Sequence, residues 1–200
     1  MPVIRPLKMS GGQIIQSAAG DTFDLTSLES SQSQQIFMSA LPRTAGFLLL
    51  TGVAYFVYLG RTLSAITPKF VEFHVSTLGA GAQTAEVGFF SSPLSPRKTS
   101  QSLTKLVATG TVDALTTTGV KRNTTAFATP VAASVHLWAG LRTAMATTQP
   151  LIWGIGVDMA QGQIHSTAAA GALTGAGPWT GAIIAASTAM VCPDLRGLLD

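Results

Sequence analysis

The stretch from Ile66 to Phe90 contains two segments in which apolar residues occupy every second position. In its first half the apolar residues fall on one side of an extended chain: Val71, Phe73 and Val75. The residues between them, Glu72 and His74, fall on the other side. A two-residue period is typical of a half-buried β-strand. This part of the sequence therefore predicts a strand with one face toward a core.

A run of small residues from Leu78 to Ala82 separates this strand from a second one. Its two glycines can take positive φ and reverse the chain. After the turn a second set of apolar residues alternates along the chain: Ala85, Val87 and Phe89. Glu86, Gly88 and Phe90 fall on the opposite face. We expect the two strands to pair as a hairpin, each with one face in the core.

Similar short patterns continue through the rest of the chain, separated by Gly, Thr, Ser and Pro. The predicted strands span residues 45–50, 53–59, 103–108, 120–127, 134–141, 151–157, 162–165 and 181–190. Residues 181–190 are rich in alanine and also fit a helix, and the residues after Pro193 are predicted to be a short tail. About eight to ten short strands at this spacing indicate an all-β fold, either a β-sandwich or a jelly roll.

Residues 1–28 contain too few apolar side chains to fold alone. Pro2 and Pro6 are expected to prevent a regular element at the very start. Gly11-Gly12 is a predicted hinge, and the β-prone piece Gln13–Gln16 follows it. We therefore expect an extended N-terminal docking arm over residues 1–28, with a flexible arm as the alternative. A linker over residues 29–43 follows, of which residues 29–39 also fit a short helix, and then a β-sandwich domain over residues 44–200.

One segment has the composition of a membrane span, because the seventeen residues between Arg43 and Arg61 are uncharged. Seventeen residues is the lower limit for a spanning helix. Thr51-Gly52 divides the segment into two strand-sized halves, and residues 53–59 are rich in β-branched and aromatic side chains. We expect two buried strands joined by a tight turn, and no membrane span.

Charged residues make up only 10% of the 200 residues, with a net charge of +3. In average soluble proteins, charged residues make up roughly a quarter of the sequence. A surface this poor in charge is more soluble when partners cover it, so we expect an oligomer. The basic residues are scattered, which argues against nucleic acid as a partner. Arg97-Lys98 and Lys121-Arg122 are predicted to be solvated turns, and Cys192, the single cysteine, a buried thiol.

Few residues suggest reaction chemistry, and no cofactor is predicted. Glu72 and Glu86 would face each other if their strands paired, as the two carboxylates of a glycosidase do. We expect two solvated outward side chains instead of a catalytic pair. The three histidines lie in predicted strands and would have to converge to bind a metal: His74, His136 and His165. We expect single surface or interface histidines, no metal site and no enzyme.

The tryptophans and tyrosines offer flat apolar area of the kind that binds sugars. Trp138 and Trp153 lie inside predicted strands, which favours the core or an interface. Trp179 follows Gly177-Pro178 in a predicted loop. Of the three tryptophans, Trp179 is therefore the candidate for an exposed contact with a ligand or partner.

Two portions of the sequence resemble structural proteins of tailed bacteriophages. The segment RPLKMSGGQIIQSAAGDTFDL, which begins at Arg5, resembles the N-terminal segment that precedes the first domain of many such proteins. Residues 54–123 are similar to a β-sandwich module of phage fibre, spike and decoration proteins. The matching phrases in this chain are YFVYLG, GAGAQTAEVGFFS and TGTVDALTTTGVK.

This resemblance implies a non-enzymatic virion protein: a head decoration, head-fibre or tail-fibre component. It implies a homo-oligomer, most commonly a homotrimer, fixed to phage capsid or tail proteins by the arm. The arm residues that would dock on a partner's sheet edge or groove are Ile14, Ile15, Phe23 and Leu25. A receptor-binding module that recognises host surface glycans through Trp179 is the alternative function.

Overall fold

The computed structural model describes residues 7–10, 13–16, 35–36, 43–93, 101–156, 164–167, 172–177, 179–183 and 191–199. Within these ranges the chain forms antiparallel β-structure and no helix. The all-β prediction is therefore confirmed. The chain divides into two compact units, Met1–Gln32 and Ser33–Asp200.

The first unit contains a pair of short antiparallel strands, β1 (Leu7–Ser10) and β2 (Gln13–Gln16). The strand predicted at Gln13–Gln16 is confirmed. β1 was not expected, because Pro6 was predicted to disrupt regular structure here, and the strand begins directly after this proline. Of the predicted docking residues, Ile14 and Ile15 lie on β2, whereas Phe23 and Leu25 lie outside the described residues.

In the second unit one strongly curled sheet closes on itself. Its strands are β5 Ala54–Arg61, β7 Gln83–Ser92, β8 Gln101–Thr109, β10 His136–Met145, β12 Ile164–Thr167 and β13 Trp179–Ile183. Neighbouring strands follow the order β10, β5, β12, β13, β8, β7 and back to β10. We call this the closed sheet. The longest pairing in it joins β7 to β10 along the whole of β10.

The second sheet of this unit is open. Its strands are β3 Gln35–Ile36, β4 Arg43–Leu48, β6 Phe70–Thr77, β9 Gly119–Arg122, β11 Leu151–Gly156, β14 Val191–Pro193 and β15 Arg196–Leu198. β6 lies at its centre and pairs with β9, β11 and β15. We call this the open sheet.

The predicted hairpin between β6 and β7 is wrong, because the two strands belong to different sheets. The residues between them bond elsewhere: Gly79 N donates to Leu115 O, and Ala80 N donates to Thr148 O. The apolar faces of β6 and β7 both pack into one core cluster that contains residues of both sheets. An alternating pattern specifies a buried face and leaves the neighbouring strand undetermined.

The same correction applies to the uncharged segment. β4 and β5 are strands on either side of the Thr51–Gly52 turn, as predicted, but the expected burial of both is wrong for β4, where Leu48 is 55% exposed. β4, however, pairs with β11, and β5 pairs with β10 and β12. Among the described residues, no helix has the length and apolar character needed to cross a membrane.

Both faces of the closed sheet are buried on several strands. One face packs against the open sheet, through residues such as Val87, Phe89 and Leu141. The other face forms a second cluster, which contains the large side chains Phe56, Phe90, Trp138 and Trp179. The prediction of one core-facing side is confirmed for β6 but wrong for β7, where Glu86 and Phe90 are buried as well.

Two strand boundaries differ from prediction, one because a buried side chain bonds to the backbone and one because a strand pairs with residues distant in the sequence. The strand predicted over residues 120–127 ends at Arg122, because the buried Asn123 side chain bonds to Val71 N, Lys69 O and Thr125 O. The predicted tail after Pro193 is wrong, since Arg196–Leu198 is a strand between β3 and β6. Three residues carry too little pattern for this pairing to be seen in the sequence.

Candidate functional site

Glu86 is a buried carboxylate inside the closed sheet, with 5% of its surface exposed. Arg142 Nη1 lies 3.3 Å from its Oε2 atom. The backbone N–H of Leu173 donates to Oε2 at 2.8 Å, and Thr174 Oγ1 donates to Oε1 at 2.8 Å. Three donors from two separate parts of the chain therefore offset the cost of burying this carboxylate.

The segment that supplies two of these donors, residues 172–177, is here called the strap. Lys105 Nζ donates to the carbonyl of Thr174 at 2.7 Å and also to the carbonyl of Gly175. Leu173 is fully buried in the aromatic cluster inside the closed sheet. The strap is thus fixed by an apolar side chain, a carboxylate of β7 and an ammonium group of β8.

Trp179 is the first residue of β13 and is 5% exposed. Its ring packs edge-on against Phe90 with a centroid distance of 5.0 Å, and Lys105 Nζ lies 5.9 Å from the ring. The expected exposed loop position of Trp179 is therefore wrong. A ring edge-packed in a filled interior has little open face for a sugar, so the glycan contact stays a prediction that this burial does not favour.

Glu72 and Glu86 do not face each other as a catalytic pair. Glu72 lies on the open sheet, where its register partners are Arg122 on β9 and Arg196 on β15. Glu86 points into the closed sheet, toward Arg142 and the strap. The expected juxtaposition depended on the hairpin, and it fails because the strands belong to different sheets. The expectation of two solvated carboxylates is wrong for Glu86, which is buried.

The histidines are distributed over both sheets. His74 lies on β6 in the open sheet, and His136 lies on β10 in the closed sheet. His165 is on β12, and its side chain lies outside the described residues. In the described part of the chain, no three His, Cys, Asp or Glu side chains group closely enough to hold a metal ion.

His136 belongs to a cluster of hydrogen-bonded aromatic residues at one end of β10. Its Nδ1 atom lies 2.8 Å from the Tyr58 hydroxyl in a hydrogen bond. Trp138 Nε1 donates to Ser92 Oγ at 2.9 Å. Burial raises the pKa of Tyr58, and the nearby Arg61 lowers it by a smaller amount. These hydrogen bonds give the polar atoms of Tyr58 and Trp138 partners on neighbouring strands of the closed sheet.

A mixed apolar and charged surface covers the side of the open sheet that faces away from the core. We call it the outer face, and by strand alternation its residues are Leu48, Phe70, Glu72, His74, Val120, Arg122, Leu151 and Trp153. Leu48 and Val120 are each 55% exposed. The His74 and Trp153 rings are stacked at 4.3 Å, and the Arg122 guanidinium lies 4.5 Å from the centroid of the Phe70 ring.

The basic residues of β9 do not form a solvated turn. Lys121 is 6% exposed, and its Nζ donates to Thr117 Oγ1 at 2.6 Å. An inward-pointing lysine on a short strand discourages further strand pairing. Arg122 is exposed on the outer face. Arg97 and Lys98, together with the side chain of Cys192, lie outside the described residues.

Sequence reasoning missed the contact between Glu86 and the strap. The partners are 56 and 88 positions away in the sequence, at Arg142 and Thr174. The available signal was a carboxylate at an alternating position in a strand whose other face was apolar.

Comparisons with protein-family models, curated proteins and solved structures find no match to this chain.

Proposed function

We propose that this chain is a non-enzymatic structural protein of a virion, a head decoration, head-fibre or tail-fibre component. In this proposal its two sheets form a β-sandwich that associates with further copies through the outer face. The N-terminal arm docks on capsid or tail proteins. The resemblance of residues 5–25 and 54–123 to tailed-phage structural proteins supports the virion location.

The composition of the outer face is the observation that carries the self-association. Leu48 and Val120 are more than half exposed, and the half-buried Trp153 lies on the same face. Interface centres are enriched in aromatic residues and arginine, with polar groups around them. A face that combines Trp153 with Arg122 has this composition.

The charges of the outer face favour a second copy of this chain as the occupant. Glu72 and Arg122 are register partners on neighbouring strands, and both lie on the outer face. The face therefore offers both signs of charge within one row. In a symmetric interface the same patch meets itself, so a patch of one sign would repel its copy. A mixed row allows arginine of one copy to meet the carboxylate of the other.

Charge substitution on the outer face tests this surface. Val120→Asp and Leu48→Asp place a carboxylate on the outer face, whereas Leu63→Asp places one at a position that is 85% exposed outside it. We expect wild type and Leu63→Asp to sediment as oligomers of the same size. The two outer-face variants should weaken association by roughly tenfold or more, because burying an unpaired charge is costly.

Sedimentation equilibrium over a concentration series measures these constants, and circular dichroism checks that each variant is folded. A wild-type chain that remains a single copy at high micromolar concentration would refute the self-association. Equal weakening by Leu63→Asp would refute the location of the interface while leaving the association itself in place.

Deleting residues 1–20 tests the arm. We expect the shortened chain to fold and self-associate but to be missing from assembled particles. Ile14→Asp with Ile15→Asp in the full-length chain should have the same effect, since both residues lie on β2. Quantifying the protein in purified particles gives the result, with Leu63→Asp as the control. Normal incorporation of the shortened chain would show that the arm is not the anchor.

A further inference from the structure

Arg122 presents its guanidinium on the outer face without a carboxylate beside it. The guanidinium lies 4.5 Å from the centroid of the Phe70 ring. Among the described residues, no carboxylate oxygen lies within ion-pair distance of Arg122. A guanidinium that lies on an aromatic ring keeps the N–H donors along its edge available for a carboxylate. The exposed Arg122 can therefore bind an anionic group from outside its own chain.

The backbone of Arg122 is fixed by Asp113. Arg122 N donates to Asp113 Oδ2 at 3.0 Å, and Asp113 N donates to Arg122 O at 3.0 Å. The Asp113 carboxylate thus bonds to the backbone of Arg122, while the Phe70 ring supports the side chain. A side chain that is already held in place loses less conformational entropy on association. Arg122 is therefore preorganised for binding.

Glu72 is the acidic residue of the outer face. It is the register partner of Arg122 on β6, and it is half-buried. The structure forms no ion pair between these two described side chains. Arg196, the register partner of Glu72 on β15, bonds to Asp194 at 2.9 Å. The outer face therefore carries Glu72 and Arg122 on neighbouring strands, with opposite charges and no ion pair to each other.

We propose that Arg122 and Glu72 form a reciprocal ion pair across a two-fold interface between two copies of this chain. The inference rests on the proposed self-association through the outer face and names the residues that determine its specificity. A two-fold axis brings the same patch onto itself, so Arg122 of each copy meets Glu72 of the other, and the pair forms twice. Val120, which is 55% exposed, and the stacked rings of His74 and Trp153 lie on the same face. Their apolar surface excludes water and strengthens the pair.

Mixing two charge-reversal variants tests the reciprocal pair. Arg122→Glu alone brings glutamate against glutamate at both positions of the interface, and Glu72→Arg alone brings arginine against arginine. A mixed pair with one copy of each variant again joins opposite charges at both positions. The matched control is Arg61→Glu, which makes the same charge change at an exposed arginine at the end of β5 in the closed sheet.

We expect each outer-face variant alone to associate on the order of a hundredfold more weakly than wild type, because like charges that face each other in an interface repel strongly. An equal mixture of the two should associate within about tenfold of wild type. Sedimentation equilibrium measures these constants, and native mass spectrometry should show pairs that contain one copy of each variant. Arg61→Glu should associate like wild type, and in a mixture it should pair with itself rather than with Glu72→Arg.

The outcomes separate this pair from the proposed function. A wild-type chain that does not associate would overturn the self-association and the pair with it. Wild type that associates, with variants that fail alone and also fail when mixed, would overturn the reciprocal pair alone. Single variants that associate like wild type would place both residues outside the interface.

Circular dichroism checks that each variant is folded. If Glu72→Arg does not fold, the neutral variants Glu72→Gln and Arg122→Gln decide. Each should weaken association by about tenfold, and the double variant should lose no more than either single variant, since both remove the same ion pair. Additive losses in the double variant would contradict the pair.

Discussion

A methyl group at Gly88 should force β7 and β8 apart. Gly88 pairs with Ala108 on β8 and with Gly140 on β10. A Cβ atom built on Gly88 would lie 2.5 Å from Val107 O and 2.9 Å from Ala108 Cα, both backbone atoms. Ordinary contact begins at 3.4 Å. The two strands would have to separate locally by roughly 0.9 Å to restore such a contact.

This separation sets the size of the effect. Ladder hydrogen bonds near 2.9 Å would lengthen to roughly 3.8 Å, beyond a functional bond. Losing two such bonds at about 1 kcal/mol each, with some overpacking strain, predicts that Gly88→Ala lowers the free energy of unfolding by about 3 kcal/mol. This is a large part of the 5–15 kcal/mol that is typical of a domain.

Urea unfolding followed by circular dichroism measures the difference, and Gly110→Ala is the matched control. Gly110 is exposed, and the atom nearest to its added Cβ would be Ala85 O at 3.8 Å. We expect the control to remain within about 0.5 kcal/mol of wild type. A Gly88→Ala protein as stable as the control would refute the close approach of β7 and β8 at this position.

Two further predictions concern the aromatic residues. Trp138→Phe keeps most of the packing but loses the hydrogen bond to Ser92 Oγ, so it should lower the free energy of unfolding by about 1–2 kcal/mol. In urea unfolding, the double variant with Ser92→Ala should lose less stability than the sum of the losses of the two single variants. Burial raises the pKa of both tyrosines, Tyr55 and Tyr58, above the ordinary value. Their neutral forms therefore stabilise the fold below about pH 10, and this contribution is lost as the pH rises through the folded-state pKa values. Phenolate absorbance at 295 nm should rise at higher pH in the folded than in the urea-unfolded chain, and coincident curves would refute the burial.

The sequence was sufficient to predict that the chain is all-β and where many strands lie. The alternation in β6 predicted its buried face correctly, since a two-residue period is a local property. The Thr51–Gly52 turn was also predictable, because small flexible residues interrupt an apolar run at that point. Residues 53–59 contain the β-branched and aromatic side chains that strands favour.

Strand partners could not be predicted, because pairing is decided by contacts distant in the sequence. β6 and β7 are adjacent in the chain, yet they belong to different sheets and meet through a shared core. The prediction of the site failed for the same reason, because its contacts also join residues that are distant in the sequence. Trp179 follows a Gly-Pro pair that is typical of a loop, but its ring packs against Phe90 inside the closed sheet. The partners of Glu86 carry no local signal.

The place of β15 beside β6 has a consequence for synthesis on the ribosome. Arg196 pairs with Glu72, roughly 120 residues earlier in the chain. At a translation rate of about 5–20 residues per second, β15 is synthesised roughly 6 to 25 seconds after β6, and until then this edge of β6 lacks β15 as its partner. During this interval the nascent chain exposes unpaired backbone that another nascent chain on the same polysome can capture. Slowing translation over the last third of the message should therefore lower the yield of correctly folded protein.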